Sequence, residues 1–358
     1  MSDAEFKGQD FEKSLATAAT SVAEFEEPIS GPFRRLQHVL HQTPSLVPMI
    51  VLVAALAVFG VLSDHFFRAA TLTLIMQQIA VVGILGVAQS LVILTAGIDL
   101  SVGAIAVFSS VIMGQFTFRY GIPAPISIIL GLAVGTAIGA FNGWLVAKIK
   151  LPPFIATLGT WQIVLAFNFI YSANETIRSQ DIETQAPSLQ FWGTSFNIAG
   201  TTATLAVLLL IAMVFIMAYV LRQTAWGRHV YAVGDDPEAA GLAGVRVNRQ
   251  LIQVYALAGF FCAVAGWVMI GRYGSVSPAA STGQVGNIEA ITAVVIGGIS
   301  LFGGRGSIVG MFFGAAIVGV FGLGLRMLGT NPQLTYLLIG VLILAAVAID
   351  QWIRKVSG

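Results

Sequence analysis

Apolar residues fall in long runs along this chain, near 46–63, 72–96, 102–118, 124–147, 153–171, 201–221, 251–270, 288–303, 307–328 and 333–352. Each run approaches the roughly 20 helical residues that cross a hydrocarbon core about 30 Å thick, where a helix pairs its own backbone groups. The pattern predicts an all-α, polytopic membrane protein of about ten transmembrane helices. Polar positions gather in a tail over 1–43, a loop over 172–200, a loop over 222–250 and the last few residues. A transmembrane domain over 44–353 follows from that division.

An even number of spans puts both termini on one side, and basic residues mark which side is cytoplasmic. With both termini inside, thirteen of the eighteen Lys and Arg residues lie inside, and Arg68, Arg119, Arg178, Arg272 and Arg326 lie outside. Both termini and loop 222–250 are therefore expected in the cytoplasm, and loop 172–200 on the opposite side.

Composition agrees with lipid as the main solvent. Hydrophobic residues make up 56% of the chain and charged residues 10%, against about a quarter charged in soluble domains. A formal charge of +1 offers no polycation for nucleic acid. The single cysteine, Cys262, sits inside an apolar run, and the four histidines have no metal-pair spacing, so neither a disulfide framework nor a zinc site is expected. The first apolar run starts too late, after too acidic a stretch, to be a cleaved signal. Residues 1–30 carry seven acids and little apolar pattern, which reads as a disordered tail.

A shift of 179 residues aligns Gly131 with Gly310, Gly135 with Gly314, Ile138 with Ile317, Gly143 with Gly322 and Pro153 with Pro332. The fourth and fifth spans thus resemble the ninth and tenth. A shift of five spans inverts one half relative to the other, giving inverted internal repeats of a kind common in transporters. Gly131, Gly135, Gly139 and Gly143 form one helical stripe, where absent side chains let a neighbouring helix come close.

Within loop 222–250 the residues specify a short helix at both ends. Asp236 caps it, Pro237 suits its first turn, Glu238 complements the positive end, and Gly244 suits a left-handed stop. Ala239, Ala240, Leu242 and Val245 give it an apolar side that needs a partner.

Glu238-Ala239-Ala240 followed by Gly244 resembles the coupling-loop motif of ATP-binding-cassette importer permeases. Thr95–Gly103 and Ala293–Ser307 resemble two further signature stretches of the ribose/xylose/fructose group of those permeases. The resemblance covers roughly residues 45–352. It implies a homodimer in the bacterial inner membrane, cytoplasmic ATP-binding-cassette ATPase subunits docked on the coupling helices, and a periplasmic sugar-binding protein that delivers substrate. Arg228, Asp235, Asp236, Glu238, Ala239, Ala240, Gly241 and Gly244 would then form the ATPase-coupling loop. ATP and Mg would belong to the partner ATPase, since this chain lacks the Gly-x4-Gly-Lys-Ser/Thr phosphate loop and no cofactor is expected on it.

Polar groups inside spans are costly and point to function. Asp99, with Ser101 two residues on, reads either as a cap for the third span or as a gate or ATPase contact. Glu289 is expected at the outer start of the eighth span, beside the positive helix end. Gln77, Gln78, Gln89, Thr95 and Asn142 both donate and accept hydrogen bonds, as a sugar path requires, and they can equally bond between helices. The translocation path or gate is accordingly assigned to Gln89, Thr95, Asp99, Asn142 and Glu289. Two other readings stand beside a sugar importer: a branched-chain amino-acid permease with a related coupling loop, and an autonomous secondary transporter, which would need an ion site for which Asp99 is the candidate.

Overall fold

The computed structural model describes residues 45–331, apart from residues 199 and 279, together with scattered positions from 333 to 348. The acidic tail, Pro332 and the tenth apolar run as a unit lie outside the described residues. Among the described residues, the first four helices are α1 (Leu46–Leu62), α2 (Ala69–Leu94), α3 (Val102–Phe118) and α4 (Ala124–Ala147). After them come α5 (Pro153–Ser172), α6 (Ser179–Gln185), a 3-10 turn (Pro187–Gly193) and a hairpin of β1 (Ser195–Ile198) with β2 (Thr201–Thr204). The chain continues through α7 (Leu205–Gln223), α8 (Ala225–Asp235), α9 (Pro237–Leu242), α10 (Val247–Tyr273), α11 (Ala280–Ile296) and α12 (Ile308–Met327).

Six of the described helices, α2, α4, α5, α7, α10 and α12, are long and apolar enough to cross a bilayer. The apolar helices α1 and α3, with 17 residues each, rise only about 25 Å. Where the outer surface of a soluble protein would be polar, α5 and α7 present Phe167, Ile170, Phe215, Ile216 and Tyr219 to the exterior. Such a face is stable against lipid tails.

The centre is built from α2 and α10. Residues from Ala80 to Leu94 of α2 are all buried, and α10 packs against α2, α3 and α4. The α4 glycine stripe is a packing surface: a Cβ at Gly139 would lie 2.2 Å from the Tyr255 carbonyl oxygen, and one at Gly135 2.6 Å from Ala263 Cβ. On α12, a Cβ at Gly314 would lie 1.9 Å from the Ala293 carbonyl of α11. Small residues thus set the helix spacing at both positions.

Three expected boundaries move. The sixth apolar run begins at Leu205, because the β-branched stretch Thr201–Thr204 pairs with Ser195–Ile198 across a turn containing Gly200 at φ 82°. The eighth spans Ala280–Ile296 and stops before Gly298, whose φ of 79° ends the helix. Loop 222–250 holds two helices, α8 and α9, where one was expected.

Candidate functional site

After α2, residues 95–101 leave helical geometry, yet Thr95, Gly97, Asp99 and Ser101 are buried. Irregular backbone survives inside a membrane domain only where protein groups pair its N–H and C=O. Thr95 Oγ1 donates to the Val92 carbonyl at 2.9 Å, and the Gly97 N–H donates to the same oxygen at 3.1 Å. From α5, the Thr157 hydroxyl donates to the Ile98 carbonyl and accepts from the Leu100 N–H, both at 3.1 Å. Asn287 of α11 accepts from the Gly103 N–H and donates to the Leu100 carbonyl.

Asp99 Oδ1 accepts from the Ser101 N–H at 2.7 Å and from the Ser101 hydroxyl at 2.6 Å. The Asn142 carboxamide donates to that hydroxyl at 2.9 Å. Two of the expected path residues, Asp99 and Asn142, are thus joined through Ser101. Asp99 closes an Asx turn ahead of α3, while Asn287 accepts from one N–H of the helix's own first turn, that of Gly103. Gln89 is fully buried and, among the described residues, both its side-chain polar atoms are unpaired, as are Asn142 Oδ1 and the Tyr255 hydroxyl.

The coupling loop begins with α8. Thr224 caps it by accepting from the Gly227 N–H at 3.1 Å, and Val230, Val233 and Gly234 turn inward. At its end, a Cβ on Gly234 would lie 1.8 Å from the Leu94 carbonyl and 2.8 Å from the Gly304 nitrogen. The Gly304 N–H donates to that same Leu94 carbonyl at 3.0 Å. Tyr231 donates its hydroxyl to the Gly306 carbonyl at 2.9 Å. Burial pushes the Tyr231 phenol up, against the opposing pull of Arg222, so it remains a donor near neutral pH. Leu94–Ala96, Gly234–Asp235 and Gly303–Gly306, far apart in the chain, therefore meet backbone to backbone at one end of the bundle.

From this junction α9 projects. Asp236 Oδ1 accepts from the Glu238 N–H at 2.9 Å and the Ala239 N–H at 3.0 Å, Pro237 occupies the first turn, and Gly244 has φ 89°. Ala240 is buried, whereas Arg228, Asp235, Asp236, Glu238, Ala239, Gly241 and Gly244 are exposed. Leu242 is 92% exposed, an apolar side chain with nothing against it.

Glu289 lies elsewhere. It is not at a helix start, because α11 begins at Ala280 and Glu289 falls in the third turn, too far from the first N–H groups for the positive end to hold it. Its partner is a side chain instead. Gln78 Nε2 of α2 donates to Glu289 Oε2 at 2.9 Å and Oε1 at 3.1 Å, and Gln78 Oε1 accepts from the Arg272 guanidinium of α10. Arg272, Asn287, Thr157 and Tyr231 were missed from the sequence. Asn287 and Arg272 carried the signal of a polar residue within or at the end of an apolar run; Thr157 and Tyr231 carried none. Among the described residues, no group of three or more His, Cys, Asp or Glu could hold a metal.

A family model described as branched-chain amino acid transport system / permease component matches residues 71–347. The fructose import permease protein of Rhizobium meliloti is 65% identical over 98% of this chain and 97% of that protein. The ribose import permease protein of Escherichia coli strain K12 is 35% identical over 87% of this chain and 94% of that protein. The galactose/methyl galactoside import permease protein of Haemophilus influenzae is 31% identical over 84% and 92%.

Proposed function

The chain belongs to the family of branched-chain amino acid transport system / permease components, and on that premise we propose that it is the membrane-spanning subunit of an ATP-driven monosaccharide importer in the bacterial inner membrane. The observation that carries this reading is the junction of α2, α8 and the loop before α12, from which α9 and Leu242 project without a partner. A partner that pushes on α9 moves α8, and α8 cannot move without carrying the ends of α2 and α12. Named relatives that import fructose, ribose and galactose favour a pentose or hexose over an amino acid as cargo.

The assembly is a homodimer bound to cytoplasmic ATPase subunits, which carry ATP and Mg, and it receives sugar from a periplasmic binding protein. Each subunit has ten spans with both termini and loop 222–250 in the cytoplasm. The halves are inverted repeats, and the packing map supports this. The fourth span, α4, lies chiefly on α10 and α3, while the ninth, α12, lies on α2, α11 and α1. A shift of five spans converts α10 and α3 into α2 and α11, while the α1 contact of α12 has no counterpart on α4. Gln89, Thr95, Asp99 and Asn142 line or gate the path, Gln89 and Asn142 with polar atoms still unpaired.

Co-expression with the ATPase and binding protein tests the reading. A complex should be recovered whose ATP hydrolysis rises when the binding protein is loaded with one monosaccharide, and a reporter fused after Gln190 should lie outside the cytoplasm. Stimulation by a branched-chain amino acid instead would move the cargo to that class, and transport by the chain alone would make it a secondary transporter.

A further inference from the structure

We propose that Arg272, Gln78 and Glu289 form a sugar-hydroxyl recognition point in the translocation path, distinct from the Asp99 cluster. The proposal deepens the importer reading and rests on it. The three side chains come from α10, α2 and α11, so three helices separated in sequence converge on one polar spot within an otherwise apolar bundle. Charged groups among spanning helices are costly and persist where they serve cargo or structure. Gln78, Arg272 and Glu289 are half-buried, so their remaining donors and acceptors are open to a ligand.

Among the described residues, the Glu289 carboxylate accepts only from Gln78 Nε2, although two carboxylate oxygens offer about four lone-pair sites. The Arg272 guanidinium donates only to Gln78 Oε1, leaving most of its five donors, and it lies 5.1 Å from the centre of the Tyr273 ring. Beside Arg272 is a small cavity lined also by Gln77, Trp192 and Thr204. The Trp192 indole N–H is buried and has no acceptor among the described residues.

Surplus acceptors on Glu289, surplus donors on Arg272 and an orphan indole donor match vicinal hydroxyls, each of which donates and accepts at once. The same guanidinium and carboxylate would suit the carboxylate and ammonium of a zwitterion, so the assignment to sugar hydroxyls rests on the importer reading. The cavity is far too small for a sugar, so the Gln78 carboxamide that bridges carboxylate and guanidinium must give way for one to bind. When the path opens, hydroxyls of the passing sugar replace the carboxamide on both.

Proteoliposomes carrying the full complex, assayed in parallel for uptake of D-fructose and D-ribose and for ATP hydrolysis, test the proposal. Glu289→Gln and Arg272→Gln should each lower sugar moved per ATP by about tenfold or more, as expected for a lost hydrogen bond to a charged group. The loss should differ several-fold between the two sugars, while stimulation of hydrolysis by the loaded binding protein stays within about twofold. Glu289→Asp, which keeps the carboxylate, should recover much of the uptake. Hydrolysis and uptake falling together, losses equal for both sugars, or no loss at all would overturn the proposal. A wild-type complex without ATP-dependent uptake of either sugar would instead defeat the importer reading.

Discussion

Two regions of this protein are held in opposite ways. Where α2, α8 and the loop before α12 meet, the contacts are backbone on backbone: Gly234 against Leu94 and Gly304 against both Leu94 and Asp235. The Arg272–Gln78–Glu289 relay hangs on the ends of three long side chains. Backbone contacts through glycine are stiff, since nothing can rotate out of the way, and interiors packed so closely transmit displacement. Side-chain contacts can be exchanged for a ligand without moving a helix axis. The first arrangement suits transmission, and the second suits recognition.

That contrast can be broken most severely at Gly234. Gly234→Val should abolish ATP-driven uptake, because even the first added carbon would sit 1.8 Å from the Leu94 carbonyl. Overpacking of this kind costs about 1–3 kcal/mol or more. Proteoliposome uptake by a correctly inserted variant measures it, and near-normal rates would show that the junction is not a transmission point. Gly244→Val comes next. A φ of 89° costs a branched residue about 1–2 kcal/mol, so recovery of the ATPase in co-purification should fall several-fold with membrane insertion intact.

A smaller effect is expected at the buried turn. Asp99→Ala removes the one oxygen that accepts from both the Ser101 N–H and the Ser101 hydroxyl, and each such bond contributes about 0.5–1.5 kcal/mol. Thermal unfolding of the purified complex should drop by several degrees, and an unchanged midpoint would mean that the Asp99 turn does not hold segment 95–101. The mildest is Tyr231→Phe, which deletes one neutral hydrogen bond to Gly306. At about 0.5–1.5 kcal/mol it should slow uptake a few-fold while leaving sugar preference unchanged. A change in preference would erase the division between the two regions.

What the sequence made legible follows the range of the interactions. Helix α9 was readable residue by residue, because Asp236, Pro237 and Gly244 act on their immediate neighbours. Most of the apolar runs were readable to within a few residues, since span length is set by the bilayer and not by contacts. Helix α8 was missed because its start rests on Thr224 and its inward face on distant Leu94 and Gly304. Glu289 was misplaced because α11 starts eight residues earlier than the apolar run. Its real partners, Gln78 and Arg272, stand 211 and 17 positions away, and no spacing rule links them. The joining of Asp99 to Asn142 through Ser101 is likewise a matter of packing.

On the proposed function, ATP hydrolysis by a partner drives sugar through this chain by way of α9 and α8. The most direct test is uptake of D-fructose into proteoliposomes holding this chain with its ATPase and binding protein. Uptake should require all three components and hydrolysable ATP, and should vanish in Gly234→Val while the complex still assembles. Uptake by this chain alone, or undiminished uptake in that variant, would contradict the account.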